Sequence, residues 1–127
     1  MPRITQLLIQ AEHKPGTLAT ICSELAAKAV NISAIMAAPD ESGGLRLVAT
    51  PLATARKVLD TMKISYRQEE AIALRITDRP GALGKVTRKL ADAGVNVLYA
   101  YGSIVKGEQR ALIVLGVTEV EKAEKLV

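Results

Sequence analysis

The sequence predicts an α+β protein made of two βαββαβ units in tandem, on three observations. The segment Lys14-Pro15-Gly16-Thr17-Leu18 returns 65 positions later as Arg79-Pro80-Gly81-Ala82-Leu83. Paired at that offset without a gap, Pro15, Gly16, Leu18, Leu25, Ala26, Val30, Asn31 and Leu47 meet identical residues in Pro80, Gly81, Leu83, Leu90, Ala91, Val95, Asn96 and Leu112. An ungapped repeat of this kind means one structural unit used twice. Within each copy, short apolar runs bounded by turn residues alternate with stretches of helical period.

Taken in order, Ile4 to Ala11 reads as a strand closed by Glu12-His13-Lys14-Pro15-Gly16. Pro15 suits a first helical turn, where its missing N–H is no loss. Leu18, Ile21, Cys22, Leu25, Ala26 and Ala29 recur at helical spacing and predict an amphipathic helix of about four turns. Val30 to Ala37 is a second strand, residues 40–44 a turn, and Leu45 to Thr50 a third strand. Thr50-Pro51 opens a second helix with Leu52, Ala55, Val58, Leu59 and Met62 on its inner face, and Ile64 to Gln68 is a short fourth strand. Arg67-Gln68-Glu69-Glu70 reads as the whole junction, which places the domains at 1–69 and 70–127. So short a connection predicts two units packed in a fixed relation.

The second copy repeats the pattern. Ala71 to Thr77 is a strand, Leu83, Val86, Leu90, Ala93 and Gly94 mark a helix, and Val95 to Tyr101 and Gln109 to Val117 are strands. Thr118 and Glu121 form a capping-box pattern for a last helix in which Val120, Ala123 and Val127 face inward. A counterpart to Ile64–Gln68 is missing. The expectation is an open sheet edge, and hence a homodimer that covers it.

Composition narrows the function. Of 127 residues, 49% are apolar, with no Phe, no Trp and three Tyr, so the core must be aliphatic. A single cysteine, Cys22, excludes an intrachain disulfide or a Cys-rich metal site and reads as core. The net charge of +4 is scattered; Lys85, Arg88 and Lys89 form one solvated helix face. Neither a signal peptide nor a membrane span is visible, so a cytoplasmic protein without membrane contact is expected. RNA-recognition modules of this topology stack bases on aromatic side chains of the central strands. Here Leu7-Leu8-Ile9, Leu45-Arg46-Leu47-Val48, Ile72-Ala73-Leu74 and Ala111-Leu112-Ile113-Val114 carry none, which argues against nucleic acid. A hydrolase would need a convergent nucleophile, base and oxyanion donor, and the chain's one histidine, His13, has no serine at a telling spacing. The expectation is no enzyme, no cofactor and no metal.

What remains is the turn. Glycine removes the Cβ and lets a ligand approach the main chain, while the helix N-terminus offers free N–H groups suited to a carboxylate. Pro-Gly at a helix start also serves simply to make the turn, and both roles stand open.

Glu12-His13-Lys14-Pro15-Gly16-Thr17-Leu18 with Ala29-Val30-Asn31-Ile32, and Thr77-Asp78-Arg79-Pro80-Gly81-Ala82-Leu83 with Ala93-Gly94-Val95-Asn96-Val97, resemble the signature of ACT domains. That signature is roughly Asp/Asn-Arg-Pro-Gly-x-Leu, a helix, then Gly-x-Asn at the second strand. The likeness covers essentially the full chain, twice, and is similar to small stand-alone proteins of two ACT domains. It implies two ferredoxin-like units, antiparallel sheets with helices on one face, the second lacking its last strand. It implies a regulatory protein that binds a small carboxylate, an amino acid, and that has a regulated enzyme as partner.

Carried over by position, the ligand residues are His13, Lys14, Gly16, Asp78, Arg79 and Gly81 of the turns, with Asn31 and Asn96 at the second strands. Gly amides would take the carboxylate and Asp78 an ammonium group. The first copy departs from the pattern, with His13 for Asp/Asn and Ala29 for Gly, which favours the second site. His13 reads equally as a surface turn residue, Asn31 and Asn96 as local backbone partners, and Tyr99 and Tyr101, on one strand face, as core with a hydroxyl at the rim. A structural or protein–protein module that has lost its ligand is the competing class.

Overall fold

The computed structural model describes residues 3–11, 14–37, 44–77, 79–103 and 110–127. His13 and Asp78 lie outside them. The described chain runs β1 (Arg3–Gln10), α1 (Thr17–Ala27), β2 (Asn31–Ala37), β3 (Gly44–Thr50), α2 (Leu52–Thr61), β4 (Tyr66–Thr77), α3 (Ala82–Asp92), β5 (Val97–Ser103), β6 (Arg110–Val117) and α4 (Val120–Leu126). Two compact units divide it: Thr5–Glu69, and Glu70–Val127 with Met1–Ile4.

In the first unit the strand order is β2-β3-β1-β4, with β1 and β2 both antiparallel to β3. Leu7 and Ile9 alternate along β1 and meet Leu45, Leu47 and Ala49 of β3. Ile21 and Leu25 of α1 and Ala55, Val58 and Leu59 of α2 close over that face. The core is aliphatic as expected, and the inner face of α2 is the one read from its period. The stripe on α1 is narrower than its period suggests: Ile21 and Leu25 are buried, Cys22 is half-buried, and Leu18 is 43% exposed.

The second unit repeats the plan with β4, β6 and β5 antiparallel in that order. Ile72, Leu74 and Ile76 of β4, Ile113, Leu115 and Val117 of β6, Leu90 of α3 and Ala123 of α4 make its core. The fold is therefore α+β with ferredoxin-like units.

Four expectations need correction. First, Arg67-Gln68-Glu69-Glu70 is not a junction between strands but the first part of the twelve-residue β4, through which the chain leaves one unit and enters the other. Its charges are held by ion pairs rather than solvated in a loop: Arg46 Nε donates to Glu69 Oε1 at 3.1 Å, and Arg3 Nε to Glu70 Oε2 at 3.2 Å. Second, β4 is not an outer strand of the sheet. Its neighbour in the order is β1, whose first described residues, Arg3 and Ile4, group with the second unit.

Third, the repeat is not ungapped throughout. Leu7 faces Leu47 and Ile72 faces Leu115, so β1 and β4 are offset by 65 while β3 and β6 are offset by 68. Leu47 thus corresponds to Leu115, not Leu112. The irregularity in the outer strand is kept: register shifts between Ile32 and Ala34, and again between Val97 and Tyr99. At the 68 offset Val48, opposite Ala34, corresponds to Gly116, opposite Tyr99. A side chain on Gly116 would run into the Tyr99 ring, so bulk has moved from one strand of the pair to the other.

Fourth, Thr118 is no cap. Glu119 is the N-cap of α4, without a side-chain bond. The Thr118 hydroxyl accepts instead from the Asn96 backbone N–H at 3.1 Å, and the Thr118 N–H donates back to the Asn96 carbonyl at 3.0 Å.

Candidate functional site

Each Pro-Gly turn leads into a helix by the same device. Gly16 and Gly81 are the N-caps of α1 and α3 and take φ of 92° and 86°, a region open to glycine at little cost. A Cβ there would meet nothing within 4 Å, so it is the conformation, not space inside the fold, that calls for glycine. The Thr20 N–H reaches the Gly16 carbonyl at 2.9 Å and the Lys85 N–H reaches Gly81 at 2.9 Å, the first helical bonds of each. Pro15 and Pro80 therefore stand one residue before the cap, outside the first helical turn. The first N–H of each helix turns back to the loop, Thr17 to the Lys14 carbonyl at 3.4 Å and Ala82 to the Arg79 carbonyl at 3.3 Å, and helix geometry gives the next ones no helical partner.

The helices end alike too. In α1 the Val30 N–H bonds to Leu25 and Ala29 to Ala26; in α3 Val95 bonds to Leu90 and Gly94 to Ala91. This pattern needs a left-handed residue after the cap. Gly94 supplies it at φ 77°, but Ala29 is forced to φ 58°. The Gly-x-Asn glycine of the second copy is thus a helix stop, and its loss in the first copy costs backbone strain rather than a ligand contact.

A cleft opens at the first turn. One lobe of about 340 Å³ is lined by Lys14, Gly16, Thr17, Ile21, Met62 and Ile64 among others. A second of about 360 Å³ adds Gln10, Lys63 and Ser65 and shares Lys14, Thr17 and Ile64. Apolar Ile21, Met62 and Ile64 share the lining with polar Lys14, Thr17, Gln10, Lys63 and Ser65. The Thr17 hydroxyl is buried yet has no hydrogen-bond partner. Such a group costs about 1–3 kcal/mol unless something from outside satisfies it. At the second turn Ala82 takes the place of Thr17.

Of the expected ligand residues, Lys14 and Gly16 line this cleft, and Arg79 is exposed beside Gly81. Asn31 and Asn96 do not join the turns within their own units. Gln10, at the turn end of β1, faces Gly44, whereas Asn31 faces Thr50 six residues away, roughly 20 Å along the sheet. In the second unit Thr77 faces Arg110 and Val97 faces Val117, again the length of a strand. One small ligand cannot touch both groups inside one unit. Tyr99 and Tyr101 stack at 6.4 Å and are half-buried. Thr17, Lys63 and Ser65 were not singled out by sequence. The available signal was the contrast between Thr17 and Ala82 inside an otherwise repeated motif.

Among the described residues no group of acids, histidines or cysteines is arranged to hold a metal. No helix is long and apolar enough to cross a membrane.

This geometry, a left-handed glycine cap twice over on ferredoxin-like units, defines a pair of ACT domains. The chain belongs to that family: the model for an ACT domain pair matches residues 2–127. Among solved structures it is similar to protein BT0572 from Bacteroides thetaiotaomicron, with a TM-score of 0.88, 25% identity, and 98% of this chain and 86% of that one covered. It also shares its fold with the ligand-free regulatory subunit of aspartate kinase from Thermus thermophilus, with a TM-score of 0.63, 16% identity, and coverage of 96% and 88%. The corresponding subunit from Thermus flavus gives 0.59, 14%, 99% and 90%. No curated protein sequence matches.

Proposed function

We propose that this is a non-catalytic regulatory protein that binds a small carboxylate, in the first instance an amino acid, in the cleft beside Gly16. The observation that carries the reading is the buried, unpartnered Thr17 hydroxyl in a cleft that also meets Lys14 and the glycine cap. A carboxylate placed there accepts from the Thr17 hydroxyl and lies at the positive end of the helix. Membership of the ACT pair family and the fold shared with aspartate kinase regulatory subunits support the regulatory role. Arg79 and Gly81, with Asp78, form the second candidate turn. The receiver of the signal is, on this reading, an enzyme in the same compartment, the cytoplasm.

Self-association belongs to the same proposal on a new ground. Among the described residues the outermost strands β2 and β5 have a neighbour on one side only, and β2 carries no charged residue. Such edges are usually covered or paired. A homodimer formed there would show by light scattering as twice the 13.5 kDa chain mass.

A thermal-shift screen of ligand-stripped protein against amino acids and small organic acids tests the binding reading. A true ligand at a hundredfold excess over its dissociation constant stabilises the fold by about 2.7 kcal/mol. Gly16→Val should remove that stabilisation while the variant still folds. A flat response across the whole screen would leave the protein–protein module as the better account, which the exposed Leu18, Ile35 and Leu98 would then serve.

A further inference from the structure

We infer that the cleft beside Gly16 selects an amino acid with an aliphatic side chain and rejects one whose side chain carries an amide or a carboxylate; this rests on the carboxylate-binding reading above. The two lobes share Thr17 and Ile64, so Thr17 stands where they join. The first lobe is also lined by Ile21 and Met62. Ile21 belongs to the buried core of the unit, and Met62 and Ile64 are half-buried and packed against that core. Their side chains thus extend the core to the wall of the cleft.

Among the described residues of that lobe, the polar side chains other than Thr17 are already engaged. The Thr20 hydroxyl donates to the Gly16 carbonyl at 2.9 Å, and Lys14 has an interaction partner of its own. The backbone is engaged too: the Met62 and Ile64 N–H groups close the end of α2 on the Val58 and Leu59 carbonyls, both at 3.0 Å. One hydroxyl, that of Thr17, is left for the head of a ligand. A methyl or methylene laid on Met62 and Ile64 leaves water without stranding a polar group. An amide or carboxylate laid there loses its water and finds no partner, the kind of loss by which a site rejects a near-isostere. The unbranched thioether of Met62 adapts to straight and branched tails alike. In the second lobe Gln10, Lys63 and Ser65 are all exposed, so the head of the ligand stays in contact with water there.

Calorimetric titration of the full chain tests this with two near-isosteric pairs: L-leucine against L-asparagine, and L-methionine against L-glutamine. The aliphatic member of each pair should bind at least about fivefold more tightly, the scale of one stranded polar group. Along L-alanine, L-2-aminobutyrate and L-norvaline the affinity should rise about two- to fourfold per methylene. Met62→Gln should bring both pairs to within about twofold, and Ile64→Thr should narrow them in the same direction. The comparisons in the unmutated chain decide the matter even if a variant fails to fold. Equal or reversed affinities within both pairs, or a flat series from alanine to norvaline, would overturn the inference while leaving a carboxylate site standing. So would a preference left intact in both Met62→Gln and Ile64→Thr. Heat from none of these amino acids would overturn the underlying reading as well.

Discussion

The turn at Gly16 and the turn at Gly81 share a backbone and differ in what surrounds it. Both caps are left-handed glycines and both helices end in the same pair of bonds. Around the first, a buried hydroxyl, two lysines and the apolar Ile21, Met62 and Ile64 line a cleft. Around the second, alanine replaces the hydroxyl. The motif therefore specifies a conformation, and the residues beside it specify whether the conformation holds anything. By motif quality the second copy looks the better site; a described cleft with a buried, unpartnered hydroxyl stands at the first, and Asp78 of the second lies outside the described residues.

The cores should be equivalent where the turns are not. Leu25 and Leu90 occupy matching places, 1% and 0% exposed. Leu25→Ala and Leu90→Ala should each cost roughly 3 kcal/mol in urea unfolding. A cost near zero at either position would show that the two units are not built on the same core.

Next in size is the exchange of bulk between the hairpins. Gly116→Val should cost about 2 kcal/mol through overpacking against Tyr99, and Tyr99→Ala in the same chain should recover most of it. Additive losses in that double mutant would count against the 68 offset.

A smaller effect separates the helix ends. Ala29→Gly should stabilise by about 0.5–1 kcal/mol in thermal melts, and Gly94→Ala should destabilise by about 1 kcal/mol. The same sign at both sites would break the comparison. Smallest in stability is Thr17→Val, which removes the unsatisfied hydroxyl and should leave the free protein unchanged or firmer by up to about 1 kcal/mol, while abolishing ligand-induced stabilisation.

Much of the fold was legible because aliphatic periodicity reports burial directly. Leu7 and Ile9 on β1 and Ala55, Val58 and Leu59 on α2 stand where their spacing puts them. The hairpin register was not legible, because Leu47 finds a leucine at both candidate offsets, Leu112 and Leu115. The stretch 67–70 reads as a junction in sequence because all four residues are polar. Only the folded chain brings Arg3 and Arg46 to Glu70 and Glu69. The cleft was half legible. Lys14 and Gly16 belong to the motif, but Lys63 and Ser65 reach it across more than forty residues, a contact that local pattern does not carry. Leu18 and Leu83, on the helical stripes read from sequence, are 43% and 37% exposed.

The central claim is that the first turn, not the second, holds the ligand. Backbone amide chemical shifts followed by NMR during titration with the ligand found by screening test it most directly. The account predicts saturable shifts at Lys14–Thr20 and Lys63–Ser65, lost in Thr17→Val. Shifts confined to Arg79–Lys85, or unchanged by Thr17→Val, would contradict it.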